Sequence, residues 1–170
     1  MSARLTTAIR IGESANALLQ RIKSFDRKYL SHPEDWNERA HIGIEPMLLA
    51  LSMELALKAW FVFDHDTPDV KRTHNLIKLF EVLKKESQEK LDTEFKKSVA
   101  PSYPSGLFIN YGIRHLLLQH ANAFVDWRYL HEPKNTSFQE GAFIATLEMV
   151  LREFRKRYRI VDVPSIWPSG

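Results

Sequence analysis

The amino-acid sequence predicts an all-α fold, an antiparallel up-and-down bundle of about five main helices. Three observations predict it. Apolar residues recur at three- and four-residue spacing over long stretches and do not alternate. Glycine is scarce, with 6 in 170 residues, so few tight turns are available. The proline-bearing breaks at His32-Pro33, Pro101 to Gly106 and Pro133 fall between the periodic stretches, which leaves mostly short connections, as bundles have.

The first helix is expected over 5–29. Leu5, Ile9, Leu18, Leu19, Ile22, Phe25 and Tyr29 form its apolar stripe, with a loose register near Gly12, while Arg21, Lys23, Asp26 and Arg27 cover other faces. His32-Pro33 ends it, and a polar connector follows with Trp36 as its one large apolar anchor. The second helix, 43–64, is apolar on most sides (Met47, Leu48, Leu51, Leu55, Leu57, Trp60, Phe61) and should be the central element. Asp66-Thr67-Pro68 reads as a turn or short helix, with Thr67 capping and Pro68 in the first helical position. A third helix is expected over 74–85, capped by Thr73, with Leu76, Phe80 and Leu83 inward; 88–99 is a polar helix with Leu91, Phe95 and Val99 as its inner edge. After the break at Pro101, Pro104 and Gly106, Ser105 could cap a fourth helix over 107–132. Ser137-Phe138-Gln139-Glu140 reads as a capping box, in which Ser bonds forward to a free N–H and Glu140 reaches back. The last helix then runs to 158, with Phe143, Leu147, Val150, Leu151 and Phe154 inward. Residues 1–160 are read as one helical domain and 161–170, with Pro164 and Pro168, as an irregular tail.

Composition bounds the function classes. Hydrophobic residues at 44% and charged residues at 26% are globular values. With no cysteine there is no disulfide framework, no thiolate nucleophile and no Cys-ligated metal. The net charge of +3, from 24 basic and 21 acidic residues, is too mild to mark a nucleic-acid binder by itself. The most apolar stretch, 46–63, contains Glu54 and Lys58, which argues against a membrane span. At the N-terminus, Arg4, Arg10 and Glu13 interrupt what would have to be a signal-peptide core. A cytoplasmic protein without membrane contact is the expectation.

Four constellations could carry chemistry. Glu54 and Lys58 are four apart on the most apolar helix, so they face one way and can pair. They form either a surface stripe or a polar network that docks another helix. In Arg114-His115-Leu116-Leu117-Leu118-Gln119-His120, an arginine and polar neighbour precede a histidine. A phosphodiester site needs a cation to hold phosphate and an imidazole to move protons. On an ideal helix Arg114 and His120 stand about 120° apart. The same spacing also suits a core histidine and a surface arginine. In Phe124 to Glu132, Arg128 and Glu132 can pair at i, i+4 beside His131, and Arg128 is either an anchor for a buried carboxylate or a phosphate ligand. Last comes the basic run Arg152, Arg155, Lys156, Arg157 and Arg159, which is a solvated helix face or an RNA-facing stripe.

Three short stretches carry a family resemblance: Glu54-Leu55-Ala56-Leu57-Lys58-Ala59, His74-Asn75-Leu76 to Leu79, and Trp127-Arg128-Tyr129. In this order and spacing the chain resembles the HEPN family (higher eukaryotes and prokaryotes nucleotide-binding) over about residues 5–158. The resemblance implies a helical bundle, commonly a homodimer. In many members an arginine–polar–x4-to-6–histidine motif forms a metal-independent endoribonuclease, in toxin–antitoxin and anti-phage systems. There the arginine holds phosphate and the histidine helps the 2′-hydroxyl attack. Arg114, His115 and His120 match that pattern. The resemblance also implies RNA or a nucleotide as ligand, and a cognate antitoxin or nucleotidyltransferase-like protein as partner.

Two function classes follow. One is a non-enzymatic nucleotide-, RNA- or partner-binding module, with Glu54, Lys58, Arg128, His131 and Glu132 as a structural or ligand-binding network and Arg152, Arg155, Lys156 and Arg159 facing RNA. The other is the endoribonuclease, with Arg114 and His120 catalytic in one open cleft and His115 in support. Neither requires a cofactor. The histidines His115, His120 and His131 lack the i, i+4 spacing of a metal pair.

Overall fold

A computed structural model of the chain describes residues 3–24, 44–128 and 138–158, with only the backbone of Arg128. The fold is an all-α helical bundle. Among the described residues seven helices follow in order: α1 (Ala3–Lys23), α2 (Ile44–His65), α3 (Leu76–Glu81), α4 (Lys85–Ser98), α5 (Ile113–Gln119), α6 (Ala123–Arg128) and α7 (Glu140–Arg155).

Helix α2 is the centre, packed against α1, α3, α6 and α7. Its sequence is apolar on most sides, so most of it is buried, and Leu48, Leu51, Leu55 and Lys58 form the half-buried face that it turns outward. Leu49, Met53, Ala56, Leu57 and Trp60 are fully enclosed. Trp60 places its one polar atom by donating from Nε1 to Val150 O on α7 at 3.2 Å. Ser52 donates to Ala15 O on α1 at 2.7 Å. By length and composition α2 could cross a membrane, but 61% of its most apolar window is buried inside the fold, as a core helix requires. Pro46 sits in the first turn, where an absent N–H costs nothing.

On α1 the expected stripe holds in part. Ile9, Leu19 and Ile22 are buried as expected and Ala8, Gly12 and Ala15 join them, while Leu5 and Leu18 are only half-buried and Phe25 and Tyr29 lie outside the described residues. Small residues win this face because the helices approach closely. A Cβ added to Gly12 would stand 2.7 Å from Phe154 Cε1 on α7 and 3.6 Å from Ala59 Cβ on α2. Gly12→Val should therefore overpack the α1–α2–α7 contact and cost about 1–3 kcal/mol, despite removing a helix glycine. A denaturant melt checks this; wild-type stability would show that α1 sits further out.

Several expected boundaries move. The third helix is α3 alone, six residues long. Asn75, not Thr73, is its cap, accepting from Lys78 N at 3.0 Å. Thr73 instead accepts from Asn75 N, one step upstream. At 66–70 there is a turn and no helix; Thr67 Oγ1 accepts from Asp69 N, and Asp66 takes a positive φ of 49°. The expected 107–132 helix starts six residues late and is interrupted. Ser105 does accept from Leu107 N, but only to close a local turn. Leu107, 78% exposed, and Ile109 stand in solvent. Helix α5 begins where Asp92 Oδ1, from α4, accepts the Ile113 N–H at 3.1 Å. It ends at His120, and Ala121 O accepts the Leu76 N–H while Asn122 Oδ1 accepts from Asn75 Nδ2. This turn therefore serves the N-terminus of α3. The last helix begins at Glu140 with Gln139 as cap, later than a Ser137 cap would place it; Ser137 lies outside the described residues.

Candidate functional site

The motif residues Arg114, His115 and His120 share one short helix but not one cleft. Arg114 is exposed and donates from Nη2 to Glu81 Oε1 at 2.7 Å, tying α5 to the end of α3. The His115 ring faces Phe108 at 4.4 Å, and its Nδ1 accepts from Gly112 N, so it closes the first turn of α5. His120 is 4% exposed, and its Nε2 is buried without a hydrogen-bond partner among the described residues. Phe138 and Phe143 lie against the ring, with centroids at 4.8 and 5.4 Å. Burial alone lowers its pKa from 6.5 to about 4. A cation-holding arginine and a proton-moving imidazole are not brought to one solvent-open site.

The Glu54 carboxylate is 3% exposed and holds two donors from different elements. Lys58 Nζ meets Oε1 at 2.5 Å, and His74 Nδ1 meets Oε2 at 2.9 Å. The His74 ring is stacked on Phe124 of α6, with centroids 4.6 Å apart and planes at 26°. A buried carboxylate is tolerated only when satisfied in this way. The network thus joins α2, the segment before α3 and α6. The Arg128 side chain, His131 and Glu132, expected in it, lie outside the described residues.

A second buried network was not foreseen. Asp64, at the end of α2, has a fully enclosed side chain. Arg157 Nη1 donates to its Oδ1 at 2.5 Å, Ser87 Oγ donates to the same oxygen at 2.9 Å, and Lys84 N donates to Oδ2 at 3.1 Å. The guanidinium carbon also lies 4.7 Å from the Trp60 ring centre and 4.3 Å from that of Phe63. Arg157 is thus a buried-carboxylate anchor of the kind sought at Arg128. Only its membership of a basic run was visible in sequence; the partner is 93 residues away.

The remaining basic run is partly neutralised. Glu153 is buried and collects Lys156 at 2.6 Å, Arg152 at 3.5 Å and Lys90 of α4 at 3.7 Å. Burial pushes its pKa up, but the Lys156 hydrogen bond and the charges of Lys156, Lys90 and Arg152 outweigh it and hold it below the usual value. Arg155 is exposed, and Arg159 lies outside the described residues.

The exposed cations without a side-chain partner among the described residues include Lys71, Arg72 and Lys78. They flank His74 in the segment Val70-Lys71-Arg72-Thr73-His74-Asn75-Leu76-Ile77-Lys78, which contains no acid. Their only sequence signal is this run of basic residues without a carboxylate. Among the described residues, no three His, Asp or Glu side chains are grouped to ligate a metal. Compared with protein-family models, curated proteins and solved structures, the chain matches none.

Proposed function

We propose that the chain is a non-catalytic, HEPN-like helical module that binds the phosphates of RNA or a nucleotide through segment 70–78. The observation that carries this reading is the contrast between two sets of cations. Arg114 is spent on Glu81 and the basic run near 155 is spent largely on Glu153 and Asp64. Lys71, Arg72 and Lys78 have no acidic partner among the described residues and stand within eight positions in sequence. Phosphate contacts come from such cations, and their number sets the salt dependence of binding. The enclosure of His120 supports the absence of catalysis, because a general base must reach the proton that it takes.

Fluorescence anisotropy with a labelled oligouridine tests the reading. For three phosphate contacts, affinity should fall roughly twentyfold between about 50 and 200 mM salt. The variant Lys71→Ala/Arg72→Ala/Lys78→Ala should lose this dependence, while Arg152→Ala/Arg155→Ala should keep it. In the same samples, total RNA with EDTA should stay intact. Equal binding by the 71/72/78 variant, or RNA cleavage that Arg114→Ala abolishes, would overturn the proposal.

A further inference from the structure

We propose that His74 Nε2 is a proton-gated donor to a phosphate oxygen, with Glu54 as the residue that positions it. The inference rests on the reading that a phosphate-bearing ligand meets segment 70–78, and it names the group within that segment that would select for phosphate.

The geometry fixes which ring nitrogen does what. Glu54 is buried and already accepts Lys58 Nζ at Oε1, so its Oε2 is an acceptor toward the imidazole. His74 Nδ1 must then carry a hydrogen. The stack on Phe124 holds the ring plane, and 52% of the side chain remains open to solvent. Nε2 has no hydrogen-bond partner among the described residues. Since Nδ1–H is committed inward, the neutral ring points a lone pair outward at Nε2 and repels an oxyanion. Only the doubly protonated ring donates at both nitrogens, one inward to Glu54 and one outward to the ligand. Phosphate binding here takes up one proton, and no covalent bond is made or broken.

The charges around the ring set what it can bind. From α2 the ring faces Glu54 and Lys58; from α6 it faces the uncharged Phe124; its own segment supplies Lys71 and Arg72, and α3 supplies Lys78. Among the described residues Glu54 is the one carboxylate in contact, and with Lys58 and a protonated His74 the cluster is net positive. An anion completes its charge balance, whereas a neutral or cationic ligand does not.

The experiment is a pH series of binding from about pH 8 to about pH 5.5, at constant ionic strength. Oligouridine, whose bases do not titrate in this range, and dimethyl phosphate, a diester that keeps one negative charge throughout it, are the two probes. For one linked proton, wild-type affinity should rise by up to about tenfold per pH unit as the pH is lowered through the histidine range. A rise with both probes assigns the site to a phosphate group of any origin, and a rise with oligouridine alone assigns it to the nucleic-acid backbone; either supports the proposal. His74→Gln should bind with a flat profile and keep its salt dependence. Glu54→Gln should weaken binding and keep its salt dependence, because the carboxylate that positions the ring through Nδ1 is gone. Identical profiles for wild type and His74→Gln would overturn this inference and leave the binding reading standing. No binding by the wild type at any pH would overturn both.

Discussion

Replacing Arg157 by alanine is expected to lower stability by about 3 kcal/mol, because it leaves a buried carboxylate with hydrogen bonds but no counter-charge. Asp64 has no exposed side-chain surface; after the substitution it keeps Ser87 Oγ and Lys84 N only. The loss also strips the guanidinium from the Trp60 and Phe63 rings. In a domain of this size about 3 kcal/mol corresponds to roughly a 10 °C drop in Tm. The companion variant separates the buried charge from the lost packing. Asp64→Leu with Arg157→Met removes both charges and replaces them with apolar volume, so it should be more stable than Arg157→Ala alone. Calorimetric melts of the three proteins check the order. If Arg157→Ala melts with the wild type, the pair is not a structural anchor.

The second large effect is a pH dependence that one residue controls. His120 has its folded pKa lowered to about 4 from 6.5. Below about pH 6.5 the unfolded chain binds a proton that the folded chain refuses, so folding stability falls as pH is lowered. The loss grows between 6.5 and about 4 and then levels off, at about 3 kcal/mol. Above about pH 6.5 the imidazole is neutral in both states and contributes no slope. His120→Leu should therefore outlast the wild type by about 3 kcal/mol near pH 4. At pH 8 the gap should shrink to the difference between an orphaned ring nitrogen and an aliphatic group in the Phe138–Phe143 pocket. Glu153 acts in a lower window: its pKa is depressed, so its contribution is present above its ordinary value of 4.5 and is lost as pH falls below that. Urea melts at several pH values separate the two. Parallel pH curves for wild type and His120→Leu would contradict the enclosed histidine.

What could be read from sequence divides along the range of the interactions. The all-α class, the central place of α2 and the inner face of α7 follow from local composition and periodicity: Leu57 and Trp60 are buried as expected, though Leu48, Leu51, Leu55 and Phe61 are half-buried, and Phe143, Leu147, Val150, Leu151 and Phe154 are all buried where the 3.6-residue pattern puts them. The inner face of α1 followed only in part: Ile9, Leu19 and Ile22 are buried where the pattern puts them, whereas Ala8, Gly12 and Ala15 complete the face because small size and not hydrophobicity admits the close approach of α2 and α7. The interruption at 120–122 has no proline or glycine to announce it. It is held by hydrogen bonds from Leu76 and Asn75, more than 40 residues away. The candidate site shows the same split. Glu54 and Lys58 pair within one helix at four-residue spacing, whereas their link to His74 crosses a turn. Arg157 was visible as a cation and not as an anchor, for Asp64 lies far back in the chain. The Arg114 to His120 spacing could not tell an open cleft from an aromatic pocket, because Phe138 and Phe143 come from beyond residue 137.

The measurement closest to the centre of this account is an NMR titration of the histidine ring carbons, with His120 assigned by its absence in His120→Leu. The His120 imidazole should stay neutral to about pH 4. A His120 signal that titrates near its ordinary value of 6.5 would place the ring in water and return the motif to catalysis.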